Sequence, residues 1–148
     1  MPYVRIWLHF NWSTKNRERI IDEHLKKQLL PHIMENAKSK DIYIDTLNCV
    51  EDHIHALVSL GSDQTVSKVT QLIKGESSHW VNLNGLLKGK FEWQDDYFCV
   101  SVSDSAVAKV REYIRDQENH HKRKTYEEEY QEFMREYGFN KERNEAKA

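Results

Sequence analysis

Apolar positions recur along this chain with two different periods, and the changes of period mark out its elements. From Tyr3 to Trp12, the residues Val4, Ile6, Leu8, Phe10 and Trp12 alternate with Tyr3, Arg5, Trp7, His9 and Asn11, which predicts a half-buried strand. After Ser13–Arg17 the period lengthens. Ile20, Ile21, Leu25, Leu29, Ile33 and Met34 recur at helical spacing to Ala37, predicting one helix bent at Pro31, where an amide donor is missing. Ile42 to Val50 is a second strand, and Glu51-Asp52 turns it into a third, His53 to Leu60. From Thr65, the residues Val66, Val69, Ile73, Ser77, Trp80 and Val81 form a helical stripe that fails by Asn82–Gly85. Residues 86–90 read as a loop, and Phe91–Gln94 leads into a strand from Tyr97 to Val102. Ser103 is placed to cap a helix with Val107, Val110 and Ile114 on its apolar side, running to about His120. Thr125-Tyr-Glu-Glu128 matches a capping box. It opens a last helix with Tyr126, Tyr130, Phe133, Met134 and Tyr137 at helical spacings, stopped by Gly138 and Phe139.

The order is strand, helix, strand, strand, helix, strand, then two helices. Its first six elements are the split βαβ arrangement of an α+β, ferredoxin-like (RRM-like) antiparallel sheet. One domain is expected over residues 1–139, with 140–148 as a charged tail.

The third strand carries the most chemistry. Successive strand side chains point to opposite faces, so His53 and His55 share one face while Ile54, Ala56, Val58 and Leu60 line the other. Two imidazoles held in parallel on a stiff support can chelate a metal. On the penultimate helix, Tyr113 and Gln117 lie four residues apart and project from one side. A tyrosine beside a metal-ligating amide would be a nucleophile with a Lewis acid next to it. Spacing alone favours plainer readings: hydrogen-bonded polar histidines, and a Tyr113 that packs beside Val110 and Ile114.

Composition narrows the classes. A chain of 148 residues is long enough to bury a single core without a staple. Cys49 and Cys99 lack close Cys or His partners, so free buried thiols are expected, and with them a reducing, cytoplasmic setting. No stretch approaches the roughly 18 apolar residues of a membrane helix, and no Gly-rich phosphate loop or structural zinc spacing is present. The net charge of −2 gives no overall pull toward nucleic acid. Local charge differs: Lys15, Arg17 and Arg19 cluster after the first strand, and His120-His-Lys-Arg-Lys124 is a basic run, while the acidic residues gather at Glu127, Glu128 and Glu129.

Val-Glu-Asp-His53-Ile-His55-Ala-Leu-Val resembles the His-hydrophobe-His motif of the single-tyrosine HUH transposases of small insertion sequences, and Tyr113-Ile-Arg-Asp-Gln117 resembles that family's nucleophile helix. Ser13-Thr-Lys-Asn-Arg17, Lys74-Gly-Glu-Ser-Ser78, Phe91-Glu-Trp-Gln94, Ser101-Val-Ser103, and Gln117-Glu-Asn-His-His121 continuing to Thr125-Tyr-Glu-Glu-Glu129, fall in the family's order. The resemblance spans residues 3 to 139 and reverses both plainer readings. One departure is Asp95-Asp-Tyr-Phe-Cys99, where many members carry glycines.

The resemblance implies an enzyme that cleaves and rejoins single-stranded DNA at hairpin-flanked element ends through a 5'-phosphotyrosine. Tyr113 would be the nucleophile, and His53, His55 and Gln117 would hold a divalent metal, Mg²⁺ or Mn²⁺. It also implies a homodimer whose tyrosine helices complete the opposite subunits' histidine sites. Lys15, Arg17, Lys74, His120, His121, Lys122, Arg123 and Lys124 are candidate DNA contacts. Trp7, Trp12, Trp93 and Tyr97 are candidates to stack on bases. The alternative is a non-catalytic or domesticated hairpin- or RNA-binding module of the same fold.

Overall fold

A computed structural model describes residues 2–136 of the chain. Four antiparallel strands, β1 (Trp7–Ser13), β2 (Tyr43–Cys49), β3 (His53–Ser59) and β4 (Phe98–Val102), lie in the order β2-β3-β1-β4. Two helices, α1 (Glu23–Ser39) and α2 (Val66–Leu83), supply the crossovers, so the ferredoxin-like reading holds. Three more follow β4: α3 (Val107–Arg115), α4 (Gln117–Arg123) and α5 (Tyr126–Glu136). The expected tail, 140–148, and the stop at Tyr137–Phe139 lie outside the described residues.

The alternation in β1 and β3 builds two cores. Leu8, Phe10, Trp12, Ile54, Ala56 and Val58 face α1 and α2, where they meet Leu25, Leu29, Ile33, Val69, Ile73 and Val81. On the opposite face Leu57 packs with Val107 and Ile114 of α3. Both helix starts are capped as short polar side chains allow: Leu25 N donates to Asp22 Oδ1 at 2.8 Å, and Lys68 N to Thr65 Oγ1 at 3.2 Å. The first helix therefore starts at Glu23 instead of Ile20, and it runs through Pro31.

Further points differ from the sequence reading. The first strand begins at Trp7, not Tyr3, because Trp7 is already opposite the last paired residues of both neighbours, Ser59 and Val102. Beyond them one backbone bond follows, Leu60 N donating to the Ile6 carbonyl at 2.8 Å, and Tyr3, Val4 and Ile6 stay exposed. Nor is β1 half-buried: His9 and Asn11 on its polar face are covered, Asn11 Oδ1 accepting from Tyr126 Oη of α5 at 3.2 Å. Finally, the helix expected to run to His120 is two. Asn48 of β2 donates from Nδ2 to the carbonyls of Ile114 and Arg115, at 2.9 and 3.2 Å. Those carbonyls would otherwise continue the helix, and the chain breaks at Asp116. Ser103 opens a short 3-10 turn, Asp104–Ala106, and its hydroxyl pairs with that of Ser105 instead of capping.

A bulge in β2, between Ile44 and Thr46, aims Asp45 at α3. Arg111 clasps it with Nε and Nη2, at 2.8 and 2.9 Å. Together with the Asn48 bonds, this fixes the C-terminal turn of α3, and so Tyr113, over the sheet.

Candidate active site

His53 and His55 stand side by side on the covered face of β3, 1% and 0% exposed. Each is oriented from behind. His53 Nδ1 lies 2.8 Å from Asp52 Oδ1, and His55 Nδ1 lies 2.8 Å from His9 Nε2 on the neighbouring strand. With the Nδ1 atoms engaged, both Nε2 atoms are turned forward to the same place.

Three side chains from the C-terminal helices meet them there. Gln117, fully buried at the start of α4, donates from Nε2 to the Tyr113 carbonyl at 3.2 Å, which leaves its Oε1 3.3 Å from His53 Nε2. Glu129 of α5 is buried, with Oε2 3.2 Å from His53 Nε2 and Oε1 3.3 Å from His55 Nε2. Tyr113 donates its hydroxyl hydrogen to Glu129 Oε1. Its ring stands edge-on to His55, with centroids 5.6 Å apart, and against His120 at 4.6 Å. Tyr113 also borders an open cleft of about 580 Å³ lined by Lys109, Glu112, Arg115, Asp116 and His120.

Burial opposes a charge on His53, but the carboxylates of Asp52 and Glu129 outweigh it and push the imidazole up to about 9. Burial lowers His55, against the pull of Glu129. Burial and the facing His55 take His9 down to about 3. Glu129 would be raised by burial, yet the two imidazoles pull it down to about 2. The metal-free site is thus an imidazolium between two carboxylates, beside two neutral imidazoles. These shifts predict how metal-free stability varies with pH. His53 holds its proton more tightly in the fold than in the unfolded chain. Its contribution is complete below pH 6.5 and lost as pH rises through about 9. His9 and His55 hold theirs less tightly, so stability also falls as pH drops below 6.5. Urea midpoints measured in EDTA should peak near pH 6.5, and a midpoint flat from pH 5 to 9 would contradict the assignment.

Ligand-type atoms of His53, His55 and Glu129 all lie within 4.8 Å of one another, compact enough for one cation. Imidazole nitrogens with amide and carboxylate oxygens form a donor set that suits a divalent first-row metal. The site residues expected from the sequence, Tyr113, His53, His55 and Gln117, are therefore brought together. Glu129, His9 and Asp52 were not anticipated. The signal for Glu129 was present: it falls three residues after Tyr126, on the apolar stripe of its helix, where a carboxylate is out of place.

The basic candidates divide. His120 is at the site, and Lys122 and Arg123, two and three residues further along α4, are exposed, while the side chain of His121 lies outside the described residues. Lys124 pairs with Glu132 at 2.5 Å, and Arg17 pairs with Glu127 over the Tyr126 ring. Lys15 and Lys74 line a separate cleft of about 340 Å³. There Lys15 meets Glu92 at 3.0 Å, and half-buried Lys74 donates to the carbonyls of Gln94 and Asp95. Of the aromatic candidates, Trp12 and Trp93 are core residues packed edge to face at 5.9 Å.

Comparison with known proteins shows the family and the fold. The family model for IS200-like transposases matches residues 3–117, ending at Gln117. The ISDra2 transposase TnpA of Deinococcus radiodurans is 24% identical over 114 residues, covering 74% of this chain and 81% of that protein. A crystal structure of a candidate transposase from Deinococcus radiodurans R1 superposes with a TM-score of 0.64 at 22% identity, covering 79% of this chain and 95% of the other. A REP-associated tyrosine transposase, solved bound to a REP hairpin, superposes with a TM-score of 0.61 at 19% identity over 82% and 72%.

Proposed function

The chain belongs to the IS200-like transposase family, enzymes that act on DNA, and from that premise we propose that it cleaves and rejoins single-stranded DNA with Tyr113 as nucleophile. One observation carries the reading. The Tyr113 hydroxyl and the forward nitrogens of both histidines converge on one buried point, where a phosphate could meet nucleophile and metal together.

His53, His55 and Gln117 would hold the cation. Bound there, a divalent metal would supply Lewis acidity, offsetting charge on the scissile phosphate and part of the roughly 4 kcal/mol needed to ionise a phenol at pH 7. Mn²⁺ accepts imidazole more readily than Mg²⁺, so activity with Mn²⁺ is expected to be the higher.

The remaining steps belong to the chain's own groups. Tyr113 Oη attacks phosphorus as the bond from phosphorus to the 3' oxygen breaks, the phenol losing its proton to water and the departing 3' oxygen taking one up from water, giving a 5'-phosphotyrosine and a free 3'-hydroxyl. The hydrogen bond to Glu129 aims the phenol. It does not deprotonate it, since a carboxylate is too weak a base to take the proton of an ordinary phenol. Because the covalent link keeps the energy of the phosphodiester, a 3'-hydroxyl can reverse the step and join strands. The open cleft at Tyr113, with exposed Lys122 and Arg123 further along α4, suits the approach of a single strand.

A hairpin substrate is proposed from the REP-hairpin complex of the structural relative. Within one chain the Tyr113 ring stands beside its own His55, which supports a site assembled without a residue from the second copy. In the proposed homodimer its role is to hold two element ends together. The test is a labelled single-stranded oligonucleotide carrying a hairpin from the flank of the gene, incubated with Mn²⁺ or Mg²⁺. A protein–DNA adduct that survives denaturation and is absent in EDTA is expected; binding without adduct under every metal would favour the non-catalytic module.

A further inference from the structure

The resemblance supplied His53, His55 and Gln117 for the cation, and the family match ends at Gln117. Glu129 lies twelve residues beyond it, on another helix. Resting on the metal-site reading above, we propose that Glu129 is a fourth protein ligand of the cation and its only anionic one, delivered by α5.

The spacing of the atoms supports this. Adjacent ligands of one octahedral ion with bonds near 2.1 Å stand roughly 3 Å apart. Three such edges are present: Gln117 Oε1 to His53 Nε2 at 3.3 Å, Glu129 Oε2 to His53 Nε2 at 3.2 Å, and Glu129 Oε1 to His55 Nε2 at 3.3 Å. The carboxylate is split, one oxygen to each forward nitrogen.

In the metal-free site Glu129 is paired with an imidazolium that it shares with Asp52. Among the described residues, neither Lys nor Arg pairs with Glu129, although the side chain is only 6% exposed. A buried carboxylate needs a compensating positive charge, and here its partners are two imidazoles and a phenol. A divalent cation in that place compensates it more fully than one imidazolium does. Asp52 and His9 keep both imidazoles turned toward the same point.

Placement of α5 is not casual either. Thr125 Oγ1 accepts from Glu128 N at 3.2 Å, Tyr126 packs its ring on His53 at 4.7 Å and bonds Asn11, and Arg17 pairs with Glu127. Four contacts around one turn of helix hold Glu129 against the histidines. The cation and α5 should therefore stabilise each other.

Calorimetry with Mn²⁺ alone on the full chain tests the proposal, comparing wild type with Glu129→Gln, Glu129→Ala and His55→Ala, with melting temperatures with and without Mn²⁺ as a second readout. Glu129→Gln keeps the shape and removes the charge, so it reports on ligation even if the alanine variant folds poorly. Weakening of Mn²⁺ binding by about tenfold or more in Glu129→Gln, with most of the metal-induced rise in melting temperature lost, is the expected result. Mn²⁺ affinity equal to or above wild type would overturn the proposal, since a carboxylate that merely fills the site would give that outcome. In that case loss of binding in His55→Ala would leave the metal-site reading standing, whereas unchanged binding in every variant would remove both.

Discussion

Tyr113→Phe is expected to bind its hairpin oligonucleotide as wild type does and to form no covalent adduct. The substitution removes one oxygen from a side chain whose ring contacts, with His55 at 5.6 Å and His120 at 4.6 Å, it keeps. Helix α3 stays anchored by Arg111 on Asp45 and by Asn48 on the last carbonyls. What disappears is the hydroxyl aimed at the point shared by the two histidines. Loss of a nucleophile typically costs at least about 10³-fold in rate, against at most a few-fold in DNA affinity. Rate and affinity measured on the same oligonucleotide separate the two. A Phe variant that still cleaves would mean that a water or another residue attacks.

His53→Ala is expected to damage the metal-free protein more than His55→Ala, although both histidines are equally buried. His53 is a cation between Asp52 and Glu129, and burial with two carboxylates holds it near 9. Its removal leaves two buried negative charges facing each other across a cavity. Breaking a buried ion pair from one side costs about 3–5 kcal/mol. His55 is held toward its neutral form by burial, and its loss orphans a hydrogen-bond partner on His9, a change worth about 1–3 kcal/mol. Urea denaturation in EDTA gives both values. The reverse ranking would show that His55 carries the charge. Each variant is also expected to lose the adduct, because each removes a forward nitrogen.

Much of this was legible in the sequence because it depends on local periodicity. Alternation gave β3 its two faces, and those faces hold: Ile54, Ala56 and Val58 in one core, His53 and His55 in the site. Four-residue spacing put Tyr113 and Gln117 on one side, and they stay so across the break at Asp116 because the Gln117 amide reaches back to the Tyr113 carbonyl. What periodicity could not show were contacts between elements remote in sequence. The break itself comes from Asn48, more than sixty residues earlier, and the burial of His9 and Asn11 comes from helices at the other end of the chain. Glu129 was hidden for a related reason. In a run of three glutamates, solvation is the default, and only docking of Tyr126 against His53 decides which of the three turns inward. Lys15 and Lys74 illustrate the opposite case, basic residues that match a motif yet line a cleft of their own.

The most direct test of the account is peptide mapping by mass spectrometry of the wild-type protein after incubation with its single-stranded hairpin oligonucleotide and Mn²⁺. A peptide containing Tyr113 that carries a 5'-linked nucleotide, formed only with metal, is the expected result. A nucleotide on another residue, or cleaved DNA with no modified peptide, would contradict it.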